Sequence, residues 1–253
     1  MRVFVTGGTG HSGSFIIPEL IAAGHEVTGL ARSGTAAAAL TALGAAVRRG
    51  GLEDLDELRE AAADSDGVVH VAHRQDLLPT GGMSAVAAAE HPIMHAYGEA
   101  LAGTGKPLVV AGSIGSPGNL GRPIVEEDPA LPSGDEHRGT LRARNVVERA
   151  VIDLAERGVR SSVVRIANIV HDTTDNTGFL PLLIALARRR VSPVTPETAR
   201  TCGTRYTFAI SPHYSAWRWR KDRPAATGTR SRMGVFPSAR SQRPSAAVWT
   251  CPS

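Results

Sequence analysis

Up to about Ala187 the chain alternates short apolar runs with longer stretches that carry helical spacing. Val3, Phe4 and Val5 form a run apolar on both faces, as a central parallel strand requires. Strands are predicted at residues 2–6, 26–31, 45–48, 67–72, 107–112 and 160–166. Between them lie helical stretches, among them Ser14 to Ala23, 53–63, 84–104 and 138–157. Ala-rich helices alternating with strands in this way build an α/β fold, a doubly wound parallel sheet. Right-handed crossovers and the mononucleotide-binding arrangement give the strand order 3-2-1-4-5-6, with the ligand crevice at the carboxyl ends of the strands. The loops 115–136 and 167–178 then line the substrate side.

The first strand ends at Thr6 and runs into Gly7-Gly8-Thr9-Gly10-His11-Ser12-Gly13. Gly7 permits a tight turn, Gly10 lets the backbone approach a pyrophosphate, and Gly13 removes a side chain where helix packs on strand. The helix that follows aims its N-terminal N–H groups and positive dipole end at the phosphates. A second strand, Glu26 to Ala31, completes strand, loop, helix and strand within about thirty residues, the context that turns three glycines into a dinucleotide cradle.

The end of the second strand faces the adenosine ribose. An Asp or Glu there would bind the 2′-hydroxyl, but this chain has Ala31-Arg32-Ser33, a cation and a hydroxyl suited to a 2′-phosphate. NADP is therefore favoured over NAD as the cofactor.

Together these residues resemble the short-chain dehydrogenase/reductase superfamily, specifically its extended and atypical NAD(P)-dependent epimerase/dehydratase-like members. Thr6-Gly7-Gly8-Thr9-Gly10-His11-Ser12-Gly13 matches their T-G-x-x-G-x-x-G loop. Gly50-Gly51-Leu52 sits where such proteins often carry Gly-Asp-Leu near the adenine. Asp66 to Ala72 resembles their fourth strand beside the nicotinamide ribose, which places Val71, Ala72 and His73 at the cofactor. Pro107 to Ser113 resembles the fifth strand, which ends in that superfamily at a catalytic Ser or Thr. The resemblance implies a Rossmann fold, a bound dinucleotide and hydride transfer on a small or sugar-like substrate.

Two departures matter. Gly51 replaces the usual Asp, and the superfamily's Tyr-x-x-x-Lys pair is missing: Thr140 occupies the Tyr slot and Arg144 the Lys slot. A phenol beside a lysine is acidified and serves as general acid/base at a carbinol; a threonine hydroxyl is too weak an acid for that. Arg144 retains a cation for the nicotinamide ribose. Ser113 is either a substrate-orienting hydroxyl or a strand-end residue. His91 and His95, four apart around Pro92 with no third ligand, make no metal site, and Cys202 and Cys251 complete none. A non-catalytic dinucleotide sensor is the alternative that Thr140 favours.

Composition adds a boundary. Of 253 residues 42% are hydrophobic, with no apolar run long enough to span a membrane, no secretory signal after Met1-Arg2 and only two cysteines, which places the expected protein in the cytoplasm. Residues 1–187 form the NAD(P)-binding domain. Residues 188–253 differ: they hold thirteen of the 28 Lys/Arg, two of the 24 acidic residues and all three tryptophans. The sequence pI of about 9.6 thus belongs to this tail. Nucleic-acid binding is the less favoured reading of it.

A frameshift between Ala187 and Glu197 accounts for the tail better. Reading from the third base of each codon permits, in one shifted frame, sequence like the missing end of the same family. Trp249-Thr250 then forces Asp, His213-Tyr214 forces Leu, and Cys202-Gly203 allows only Trp or Arg. The rival is a disordered basic tail rich in Pro, Ser and Arg.

Overall fold

The computed structural model describes residues 1–114, 120–130, 141–166 and Ile184. Six parallel strands form one sheet: β1 (Arg2–Thr6), β2 (Glu26–Ala31), β3 (Ala46–Arg49), β4 (Gly67–His70), β5 (Pro107–Ser113) and β6 (Arg160–Ile166). Their order is β3-β2-β1-β4-β5-β6, the expected doubly wound arrangement with its reversal between β1 and β4.

Pleating sorts the side chains of β1 between two cores. Val3 and Val5 join Ile17 and Leu20 of α1 (His11–Ala22) and Leu40 of α2 (Gly34–Ala42). Phe4 points the other way, to Leu58 of α3 (Leu55–Asp64) and Met94 and Tyr97 of α4 (Leu78–Leu101). Each such fully buried side chain contributes about 1.5–3 kcal/mol, so both faces of the sheet are hydrophobic layers. A fifth helix, α5 (Asn145–Asp153), covers the same face as α4.

The elements depart from the sequence reading mainly at their ends. Helix α1 begins at His11 because Gly10 is its N-cap, its carbonyl accepting from Ser14 N–H at 3.0 Å. Strand β4 ends at His70, and after Val71 N–H donates to Thr6 O at 3.2 Å the chain turns over the glycine loop. Tighter 3₁₀ turns, Leu141–Arg144 and Leu154–Arg157, flank α5 where one longer helix is expected. Helix α4 is broken near its start by Gly82, at φ 61°. The first residues of that longer expected helix, much of the loop 115–136, all of the loop 167–178 and the tail 188–253 lie outside the described residues.

Candidate functional site

Gly7 adopts φ +76°, and a Cβ added there would lie 2.5 Å from Ala72 N. At Gly13 an added Cβ would fall 2.2 Å from Gly7 O. Peptide atoms thus demand glycine at both positions. Gly10 differs: its φ is −77°, and the nearest contact of an added Cβ is Gly7 O at 3.2 Å. The loop closes through Gly10 N–H donating to Gly7 O at 3.0 Å. Thr9 and Gly10 are exposed at its tip, with His11 and Ser12 half-buried at the start of α1. Among the described residues no side chain caps α1, and its first turn holds no acidic residue. The positive end of the helix suits an anion such as a pyrophosphate.

Beyond β2, Arg32 is exposed, and its charge helps lower the Asp76 carboxyl, whose main partner is Arg74. Ser33 has a structural task as well: its Oγ accepts from Ala36 N–H at 3.1 Å and caps α2, while its carbonyl accepts from Arg49 Nη1 at 2.6 Å. Leu52 is half-buried against the core. At Gly51 an added Cβ would meet the carboxylate of Glu53 within 2.3 Å, so Glu53 fills the space a side chain at 51 would take.

At the end of β4, Val71 is half-buried and Ala72 is 8% exposed. His73 Nδ1 lies 2.7 Å from Glu90 Oε1, and Arg144 Nε donates to Glu90 Oε2 at 2.7 Å. Arg144 Nη1 also donates to the carbonyl of Ala111 at 2.9 Å. Two of its five donors are thus spent inside the protein. Burial of Glu90 opposes its ionisation, but the hydrogen bond from His73 and the Arg144 charge outweigh it and bring the carboxyl down to about 2. Burial lowers His70 to about 4, against the pull of Glu90, and raises the Tyr97 phenol.

Ser113 ends β5 and lines a small cavity with Gly112, Arg144, Val147 and Glu148. Glu148 is itself buried and accepts from Arg165 at 2.7 and 2.9 Å. Thr140 lies outside the described residues. His91 and His95 stack edge to face with centroids 4.8 Å apart on α4, and among the described residues no third ligand joins them.

Sequence reasoning placed His73 and Arg144 separately and missed Glu90, which joins them. A signal existed: Glu90 stands on the same helical stripe as Val86, Ala87, Ile93, Met94, Tyr97 and Leu101, all buried. A carboxylate on a core stripe requires cationic or hydrogen-bonding partners.

Residues 3–204 match the NAD dependent epimerase/dehydratase family. An uncharacterized Schizosaccharomyces pombe protein is 37% identical over 194 residues, covering 75% of this chain and 61% of the relative. A Saccharomyces cerevisiae protein, also uncharacterized, is 34% identical over 191 residues, 74% of this chain and 60% of its own. The chain therefore spans about three-fifths of the length of these relatives. A 4-hydroxy-2-methyl-3-oxo-4-farnesyl-3,4-dihydroquinoline-1-oxide ketoreductase of Stigmatella aurantiaca is 31% identical, covering 75% of this chain and 56% of that enzyme. The fold is similar to that of Thermus thermophilus UDP-glucose 4-epimerase in complex with NAD, with a TM-score of 0.57 at 23% identity over 75% of this chain and 62% of that one. Glycine loop, strand order and sequence match converge: the chain belongs to the NAD dependent epimerase/dehydratase family.

Proposed function

We propose that the chain is a cytoplasmic NAD(P)-dependent oxidoreductase or epimerase-like protein of the short-chain dehydrogenase type, acting on a small carbonyl or sugar-like molecule. The observation that carries this reading is the glycine loop, closed by peptide contacts at Gly7 and Gly13 and leading into the α1 N-terminus, which no described side chain caps. Gly7, Thr9, Gly10, His11, Ser12 and Gly13 would hold the pyrophosphate. Arg32 and Ser33 would hold a 2′-phosphate, favouring NADP over NAD, with Leu52 against the adenine. Val71, Ala72 and His73 would line the nicotinamide ribose. When bound, the dinucleotide supplies a hydride donor or acceptor. Ser113 would orient the substrate oxygen, and Arg144 fixes the charge of the wall behind it.

Calorimetry tests this reading. NADPH should bind more tightly than NADH, and Arg32→Ala should remove most of a difference of about 1.5–3 kcal/mol, the contribution of one charge-assisted contact. Gly10→Val should abolish binding of both. Equal affinities overturn the NADP preference, and binding of neither overturns the cofactor reading.

A second reading, a dinucleotide sensor without turnover, is favoured by the threonine in the Tyr slot, Thr140. It predicts the same affinities and no NADPH oxidation with any carbonyl compound.

A further inference from the structure

Glu90 is fully buried at the centre of α4, and both of its oxygens are engaged: Oε1 with His73 Nδ1 and Oε2 with Arg144 Nε, each at 2.7 Å. An ionised carboxylate only accepts, so His73 Nδ1 carries the proton of that bond. The ring's exchangeable position is then Nε2. The His73 side chain is 26% exposed, so protons reach it from solvent. It follows Ala72, the residue packed on Gly7, and stands at the carboxyl edge of the sheet beside the glycine loop. In doubly wound sheets that edge is where ligands bind.

Anchoring alone does not require this histidine, because Arg144 already supplies the counter-charge of Glu90. What the imidazole adds is a titrating nitrogen held in one orientation by a buried carboxylate, the arrangement that general acid/base groups share. We propose that His73, fixed by Glu90, is the catalytic acid/base of this chain and stands in for the tyrosine absent from the Tyr slot. The inference rests on the cofactor reading above.

In the reducing direction the carbonyl carbon gains a hydride from the reduced nicotinamide dinucleotide, which is oxidised, and the C=O π bond becomes a C–O single bond. The carbonyl oxygen takes the proton from His73 Nε2, leaving a neutral ring that solvent reprotonates. Oxidation of a carbinol runs the same transfers backwards. Among the described residues, the groups facing His73 are Glu90 from α4, Arg144 from the turn before α5 and His70 from β4.

The full chain, its His73→Gln variant and its Glu90→Gln variant test the proposal. Dinucleotide affinity is measured by calorimetry, NADPH oxidation is followed with a panel of aldehydes, ketones and nucleotide sugars, and ring nitrogens are titrated by NMR. In the wild type Nδ1 should stay protonated while Nε2 titrates, and the ring resonances should move when NADPH binds. The reduction rate should fall tenfold per pH unit above the ring's titration midpoint. His73→Gln should slow turnover about a hundredfold or more and remove that limb, with turnover compared at saturating NADPH. Glu90→Gln should let the proton shift between Nδ1 and Nε2, a signature readable without turnover. Retained rate or retained pH limb in His73→Gln overturns the proposal, as does NADPH binding that leaves the ring resonances unmoved. Failure of the wild type to bind either dinucleotide overturns the underlying cofactor reading instead.

Discussion

Thr6 and His70 are register partners at the ends of β1 and β4, and their side chains meet, Thr6 Oγ1 to His70 Nδ1 at 2.8 Å. Tyr97 packs edge-on to the same imidazole, with ring centroids 5.7 Å apart. His70 is fully buried, and burial lowers it from 6.5 to about 4.

This burial predicts an acid-sensitive fold. The unfolded chain takes up a proton at His70 below about pH 6.5, whereas the folded chain resists until about pH 4. The contribution of neutral His70 is therefore complete above pH 6.5 and is lost as pH falls towards 4, on the order of 3 kcal/mol in total. Urea midpoints measured between pH 7 and 4 should decline steeply in the wild type and less steeply in His70→Leu. Parallel slopes would place the acid sensitivity elsewhere.

Arg144→Met should destabilise the protein by about 3–5 kcal/mol, because it removes the guanidinium paired with the buried carboxylate of Glu90 and leaves Oε2 without that donor. Glu90 sits at about 2, so its pairing contributes above about pH 4.5 and is lost as pH falls towards 2. The double variant Arg144→Met/Glu90→Leu should recover much of the loss. Thermal melts at neutral pH check both, and a double variant no more stable than the single would contradict the pairing as the cause.

We propose that the coding frame shifts between Ala187 and Glu197. Restoring the alternative frame should raise the melting temperature well above that of the present chain, because an end like that of its relatives would complete the substrate half. An unchanged melting temperature would leave the tail as a part of the protein in its own right.

The sheet was legible because its cues are local. Apolar runs such as Val3 to Val5 and Leu108 to Ala111, each close to a glycine, fix strands and crossovers regardless of what packs on them. The cradle was legible for the same reason, since Gly7, Gly10 and Gly13 lie within one turn of helix and its approach. The His73–Glu90–Arg144 cluster was not. Its members come from the β4 end, the middle of α4 and the turn before α5, and only the fold brings them within hydrogen-bond distance. Ser33 was half legible: its place beside Arg32 suggested a phosphate contact, while its capping of α2 needed the helix start at Gly34.

The contact of Gly7 with the backbone of Ala72 separates two kinds of evolutionary change. The cradle's shape is set by peptide atoms, which substitution at neighbouring positions leaves in place. Substitution at 73 or 113 leaves those peptide contacts in place, so under the proposed function the reactant side can change separately from the shape of the loop.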